Sequence, residues 1–94
     1  SRLFNFAGLY YLISGQYDKM KRYYKMAIDM GDIYSMYNLG RHYERKQNYE
    51  KMKKYYLMAI DLGNVNAMWD LGCYYGYVEK NHELARKYLN MGTL

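Results

Sequence analysis

The 94-residue sequence contains a single cysteine, Cys73, and no proline. One cysteine cannot form an intramolecular disulfide, so nothing in the chain requires an oxidising compartment, and we expect a cytoplasmic location. Runs of alternating polar and apolar residues are also scarce, which leaves no case for β-strands. The sequence therefore favours an all-α protein.

Long hydrophobic runs are absent as well. Charged residues interrupt every apolar segment before it reaches the ~18–20 residues that a membrane-spanning helix needs. The opening stretch SRLFNFAGLYYLI does not resemble a secretory signal, because Asn5 and Gly8 interrupt it and no small-residue cleavage site follows. Half of the residues are hydrophobic and 15 are tyrosines, a composition that excludes a disordered chain and fits one small domain.

The chain repeats itself with a period of 32 residues. The segment YDKMKRYYKMAIDMGD (17–32) is identical to YEKMKKYYLMAIDLGN (49–64) at 11 of 16 positions. One residue is inserted after Gly76, and NHELARKYLNMG (81–92) then aligns with NYEKMKKYYLMA (48–59). The sequence thus contains three units of one structural repeat.

Each unit carries two amphipathic helical patterns. In the second half of unit one, Tyr17, Met20 and Tyr24 fall on one stripe of a 3.6-residue helix, and lysines take the other side. Gly31 and Gly63 suit the position after a helix, and Asp32 and Asn64 suit the N-cap of the next one. The predicted helices cover 2–14, 17–30, 33–45, 49–62, 65–77 and 82–91.

Small residues at fixed positions predict where these helices touch. A mid-helix glycine costs roughly 1 kcal/mol relative to alanine, so three glycines at one register indicate close helix contact. Tyrosines and alanines recur at the same period and are expected to fill the remaining space. The predicted packing residues are Gly8, Gly40, Gly72, Tyr11, Tyr43, Tyr75, Tyr24, Tyr56, Ala27 and Ala59.

These features resemble a known class of helical repeat. MYNLGRHY followed by YEKMKKYYLMAIDLGN is similar to a tetratricopeptide repeat, and Ser35 or Ala67 four places before Leu-Gly is similar to the related Sel-like repeat. The resemblance implies a right-handed α-solenoid of three helix-turn-helix repeats. The chain is then a single repeat array over residues 1–94, with units at 1–31, 32–63 and 64–94, and a segment of a longer array.

The same resemblance implies a non-enzymatic scaffold that binds a peptide or a protein on its concave face, which the first helix of each unit lines. Tryptophan, tyrosine and arginine are the residues that most often anchor an interface, and they occur at these positions. The alternative for Trp69 is packing between neighbouring units. The predicted partner-binding residues are Tyr34, Tyr37, Asn38, Arg41, Asn66, Trp69, Asp70 and Cys73.

The net charge of +5 leaves two alternatives open, a basic array that contacts nucleic acid or an anionic surface, and a structural subunit of a larger assembly. The pairs Asp18–Arg22 and Glu50–Lys54 have i, i+4 spacing, which is typical of a solvated helix face. This pattern favours a protein-binding scaffold over an array that binds nucleic acid.

No catalytic or metal site is recognisable, and no cofactor is implied. His82-Glu83 begins like the HExxH motif of zinc proteases, but Arg86 stands where the second histidine belongs. His42, Asp70 and Cys73 could suggest a nucleophilic triad, but the sequence has neither a nucleophile elbow nor a glycine-rich oxyanion loop. Cys73 is expected to be partly buried and inert.

The first helix predicts an uncovered apolar surface, because apolar residues surround nearly its whole circumference in LFNFAGLYYLI. Terminal units of a repeat array need a polar outer face to remain soluble. We therefore expect neighbouring repeats or self-association at the ends of the chain, and we expect the isolated 94 residues to be unstable or to self-associate.

Overall fold

The computed structural model describes residues 2–93, which form six α-helices and no β-strand. Residues 1 and 94, the outer limits of the expected array, lie outside the described residues. The all-α architecture of three helix-turn-helix repeats is confirmed. The helices are α1 (Arg2–Ile13), α2 (Tyr17–Asp29), α3 (Ile33–Arg45), α4 (Tyr49–Asp61), α5 (Val65–Tyr77) and α6 (His82–Thr93).

The joint between two repeats has the predicted local chemistry. Gly31 and Gly63 have φ angles of +85° and +88°, the left-handed conformation that glycine adopts most easily after a helix. The Asp32 carboxylate then accepts a hydrogen bond from the Tyr34 amide at 3.1 Å. Asn64 caps α5, and its side chain accepts a hydrogen bond from the Ala67 amide at 2.7 Å. Each joint therefore ends one helix and begins the next within a few residues.

The helices stack in chain order. The two helices of each repeat pack against each other, and the second helix of each repeat contacts the first helix of the next one. The turn between paired helices is only three to four residues long, which requires the pair to run antiparallel. The resulting body measures 37 × 25 × 17 Å.

Glycine and tyrosine set the distance between the paired helices. A Cβ atom at Gly40 would lie only 2.5 Å from Cδ1 of Tyr56, whose side chain is completely buried. Gly8 approaches the ring of Tyr24 in the same manner, and Leu89 replaces the tyrosine opposite Gly72. No residue larger than glycine fits these positions without displacing the facing side chain.

The core is one continuous cluster that runs through all three repeats. It is built from the inward stripes of the helices, and the middle repeat supplies the largest share. Its buried members are Met20, Tyr24, Met36, Leu39, Tyr43, Met52, Tyr55, Tyr56, Ala59, Ile60, Ala67, Met68, Leu71 and Tyr74.

The prediction of i, i+4 ion pairs on the second helices is wrong. Within residues 2–93 the only ion pair joins Lys53 to Glu79, and neither Asp18–Arg22 nor Glu50–Lys54 forms one. The lysines instead rest on tyrosine rings. The Nζ atom of Lys54, for example, lies 5.2 Å from the ring centroid of Tyr55. Cation–π contact on a tyrosine-rich surface replaces the surface ion pair.

Tyr17 also departs from the predicted stripe, since 40% of its surface is exposed. It lies at the first position of α2, where the helix has only begun to contact its neighbours. Its ring contacts His42 of the next repeat at a centroid distance of 5.0 Å. Tyr17 is therefore a contact between repeats and not a core residue.

The close approach at Gly40 generates the first prediction. We expect Gly40→Ala to lower the free energy of unfolding by up to about 2 kcal/mol, because overpacking costs about 1–3 kcal/mol and the gain in helix propensity offsets about 1 kcal/mol of it. Thermal and urea unfolding followed by circular dichroism measures the change.

Gly76→Ala is the matched control, because its Cβ would meet the Cβ of Ala85 at an ordinary distance of 3.4 Å. This variant should be neutral or more stable by up to about 1 kcal/mol. Equal effects of the two substitutions would contradict the role given to the contact between Gly40 and Tyr56.

Candidate protein-interaction surface

The eight predicted partner-binding residues belong to α3 and α5, the first helices of repeats two and three. We call them the candidate surface: Tyr34, Tyr37, Asn38, Arg41, Asn66, Trp69, Asp70 and Cys73. Tyr34 is 67% exposed and Trp69 is 46% exposed, so two large aromatic side chains face solvent there. Asn38 and Asp70 are half-buried.

Three of these residues form one contact between repeats. The Tyr37 hydroxyl donates a hydrogen bond to the Asp70 carboxylate at 2.7 Å, which links α3 to α5. The guanidinium of Arg41 lies 5.7 Å from the centroid of the Tyr37 ring. An aromatic ring, a carboxylate and a guanidinium are thus held together in a fixed arrangement at the middle of the candidate surface.

Burial changes the acidity of the Tyr37 hydroxyl. It raises the pKa of Tyr37 to about 12, and the hydrogen bond and negative charge of Asp70 act in the same direction. Beneath it, burial likewise raises the pKa of Tyr56, whose hydroxyl donates to Glu44 at 2.6 Å. The rings of Tyr37 and Tyr56 stack with centroids 5.9 Å apart. At neutral pH both hydroxyls are protonated donors to carboxylates.

Tyr34 separates two cavities at the joints between repeats. One cavity has a volume of about 450 Å³ and is lined by Arg2, Asn5, Phe6, Met30, Gly31, Asp32 and Tyr34. The other, of about 310 Å³, is lined by Ile33, Tyr34, Leu62, Gly63, Asn64, Val65 and Asn66. Phe6 and Met30 are 60% and 63% exposed, so the first cavity offers unburied apolar surface beside a tyrosine.

Trp69 packs within its own repeat. Gly92 in α6 lies against its indole ring, so that a Cβ at position 92 would collide with Trp69. The ring therefore contacts the second helix of its own repeat. Nearly half of the indole remains accessible on the surface.

Cys73 is exposed and not partly buried as predicted. It lines a cavity of about 380 Å³ between α5 and α6, together with Gly72, Gly76, Ala85 and Leu89. His42 lines a different cavity from Cys73, so the residues weighed as a nucleophilic set do not come together.

Within residues 2–93, no group of three histidine, cysteine, aspartate or glutamate side chains lies close enough to hold a metal ion. Across the same residues, none of the helices has both the length and the apolar character needed to cross a membrane.

The predicted packing residues line the contacts between paired helices. Tyr24, Tyr56, Ala27 and Ala59 have no exposed surface, and the three mid-helix glycines are buried. Tyr43 is buried, whereas Tyr11 and Tyr75 are half-buried and stack on Tyr23 and Tyr88.

Two polar partners were missed from the sequence. Glu44 accepts the Tyr56 hydrogen bond, and Asn38 donates to the Tyr24 hydroxyl at 3.3 Å. The sequence does contain a clue, because a tyrosine at a fully buried stripe position needs a polar partner for its hydroxyl. Which residue supplies it depends on side-chain directions between helices, which the repeat period does not specify.

The stacked helix pairs, the loops between repeats and the glycine contacts define a protein of the helical-repeat class. Comparison with family models identifies three consecutive Sel1 repeats at residues 6–32, 33–64 and 65–92. The chain belongs to the Sel1 repeat family, whose repeats are generally protein-interaction modules. No curated protein and no solved structure matches the chain.

The contact between Tyr37 and Asp70 generates a prediction about pH. Because the pKa of folded Tyr37 is raised to about 12 from an ordinary value of 10.0, its contribution to stability is fully present below pH 10. That contribution is lost as the pH rises towards 12, where the unfolded chain loses the proton first. We expect the free energy of unfolding to fall over this range.

NMR titration of the tyrosine ring carbons measures the Tyr37 pKa directly. In Asp70→Asn the pKa should decrease but stay above 10, because burial is the larger cause of the shift. Lys25→Met, which changes an exposed charge on α2, is the control and should leave the Tyr37 pKa unchanged. A normal Tyr37 pKa in the unmodified chain would contradict the contact.

Proposed function

We propose that this chain is a non-enzymatic scaffold that binds an extended or helical segment of a partner protein on the candidate surface, which forms the concave side of the array. Sel1 repeats are generally protein-interaction modules, and this surface combines the residue types that dominate interface energetics. The observation that carries the proposal is the exposure of Tyr34 and Trp69 on either side of the ordered Tyr37–Asp70 pair.

The geometry suits a segment with both apolar and polar side chains. The cavity beside Tyr34, with exposed Phe6 and Met30, can receive an apolar side chain. Arg41 is exposed above the Tyr37 ring and offers a positively charged donor with a planar shape. Because Tyr37 and Asp70 already satisfy each other, they bring little cost of ordering when a ligand binds.

Trp69 is the only tryptophan of the chain, so its fluorescence reports on this surface alone. We expect peptides selected from a random display library against the chain to shift Trp69 emission to shorter wavelength on binding, because the half-exposed indole loses contact with water. Fluorescence titration gives the dissociation constant for each selected peptide.

The variants Tyr34→Ala and Arg41→Ala should each weaken this binding by about 1–2 kcal/mol, because truncation of an interface anchor typically costs at least that much. Leu57→Ala, which removes an exposed apolar side chain from α4, is the matched control. Selected peptides that bind without changing Trp69 emission, or tighter and strongly salt-dependent binding to single-stranded RNA, would contradict the proposal.

We also propose that a neighbouring repeat or a second copy of the chain covers the outer side of α1. Tyr10 has the same repeat position as His42 and Tyr74, which pack on Tyr17 and Tyr49 of the preceding repeat. Both of those residues are buried, whereas Tyr10 is 63% exposed. At the other end, His82 occupies the position equivalent to Tyr17 and Tyr49 and lines an open cavity.

This complementarity predicts that the 94-residue chain self-associates from head to tail in solution. Sedimentation velocity should show a concentration-dependent increase in mass, because Tyr10 and the exposed Leu3 and Phe6 gain a partner. Tyr10→Ser should reduce the association at least about fivefold, which corresponds to about 1 kcal/mol. Met26→Ser changes an exposed side chain on α2 and should not. A stable monomer at all concentrations would contradict the prediction.

A further inference from the structure

Three lysines surround a cavity at the joint between the first and second repeats. It has a volume of about 460 Å³, and we call it the lysine pocket. It lies beside the turns between paired helices, at the opposite end of the helices from the loop of Gly31 and Asp32. It shares no residue with the candidate surface. Its lining residues are Tyr17, Asp18, Lys21, His42, Tyr43, Lys46, Asn48 and Lys51.

Aromatic rings, and not carboxylates, hold these lysines. The Nζ atoms of Lys21 and Lys51 lie 5.5 and 5.3 Å from the centroid of the same ring, that of Tyr43. The Nζ atom of Lys46 lies 5.1 Å from the Tyr17 ring. Asp18 is the only acidic residue of the lining, and within residues 2–93 it takes part in no ion pair. The pocket therefore has an excess of positive charge.

The joint between the second and third repeats provides an internal comparison. Tyr49, Lys53, Tyr74 and Tyr75 occupy the repeat positions of Tyr17, Lys21, His42 and Tyr43. The contacts are the same: Lys53 lies 5.3 Å from the Tyr75 ring centroid, and the rings of Tyr49 and Tyr74 lie 4.8 Å apart.

The two joints differ in their charged residues. Glu79 is the insertion that makes the third repeat one residue longer, and its carboxylate accepts hydrogen bonds from both Lys53 and the Tyr74 hydroxyl. Lys46 and Lys51 have uncharged counterparts at this joint, Val78 and Leu84. The second joint thus contains a carboxylate, that of Glu79. The first joint has no equivalent carboxylate and has two additional lysines, Lys46 and Lys51.

The charges of the lysine pocket act on the histidine inside it. Burial lowers the pKa of His42, and the positive charges of Lys21, Lys46 and Arg45 lower it further. His42 is therefore neutral at pH 7 and adds no positive charge, but it experiences the positive potential of the site. The Oδ1 atom of Asn48 accepts the Lys51 amide hydrogen bond as the N-cap of α4. The three lysine ammonium groups are the charged donors that the pocket offers a ligand.

We propose that the lysine pocket binds a carboxylate side chain from an acidic segment of a partner protein, in the place that Glu79 fills at the next joint. A carboxylate there meets three ammonium groups and forms charge-assisted hydrogen bonds. Glu79 shows that the equivalent place in the next repeat accommodates a carboxylate between Lys53 and Tyr74. The site is separate from the candidate surface and does not depend on peptide binding there.

A hexaglutamate peptide is the probe, and hexaglutamine is its uncharged counterpart. In two-dimensional amide NMR we expect hexaglutamate to cause saturable shifts centred on residues 17–21 and 42–51. Hexaglutamine should cause none, and Trp69 fluorescence should not change with either peptide. This last readout keeps the result independent of ligand binding at the candidate surface.

The double variant Lys21→Met/Lys51→Met should weaken hexaglutamate binding about tenfold or more, because two of the three ammonium groups are removed. Lys25→Met/Lys87→Met removes the same charge from α2 and α6 outside the pocket and should weaken it less than about twofold. Circular dichroism melts verify that both variants fold. Equal weakening by the two variants would show unspecific charge attraction and overturn the proposal.

An insertion tests the comparison between the joints directly. A glutamate inserted between Lys46 and Gln47 copies the Val78-Glu79-Lys80 turn and should occupy the lysine pocket from within, which abolishes hexaglutamate binding. Retained binding after the insertion would overturn the proposal. Tighter binding of inorganic phosphate or of a short single-stranded RNA at the same residues would also overturn it.

Discussion

The structure depends on the close approach of a glycine on the first helix of a repeat to an aromatic ring on the second. Gly8 meets Tyr24 and Gly40 meets Tyr56, and the missing side chain lets the helices pack at the distance that one flat ring requires. This distance also places the tyrosine hydroxyls. The Tyr24 hydroxyl reaches Asn38 of the next repeat, and the Tyr56 hydroxyl reaches Glu44 within its own helix pair. The same contact therefore fixes both the apolar packing and these hydrogen bonds.

Short-range features could be predicted from the sequence. The helix boundaries, the left-handed glycines and the capping residues Asp32 and Asn64 depend on a few neighbouring residues, and the 32-residue period made each of them visible more than once. The family was recognised for the same reason, since Leu39, Gly40 and Tyr43 lie within one helix. The period could not separate the tetratricopeptide and Sel1 types, and the family comparison assigns the chain to Sel1 repeats.

Contacts between side chains of different helices could not be predicted. The hydrogen bond from Tyr37 to Asp70 spans 33 residues, and it depends on the rotation of α3 relative to α5. The expected pair of Glu50 with Lys54 does not form, and the Lys54 ammonium group lies over the Tyr55 ring instead. The exposure of Cys73 follows from an open groove beside α5 and not from the residue itself. A repeat period describes what the units share, and these contacts arise where the units differ.

The stacking of helices in chain order has a consequence for how the chain acquires its structure. Within residues 2–93, contacts between repeats are almost all between repeats adjacent in sequence. The middle repeat therefore has a neighbour on both sides. It also holds the largest share of the buried core. Folding can begin in this repeat from contacts close in sequence and spread outward in both directions, with little loss of entropy from closing long loops. Within residues 2–93, α1 and α6 have a neighbouring repeat on one side only, so fewer contacts hold these two helices than hold the helices of the middle repeat.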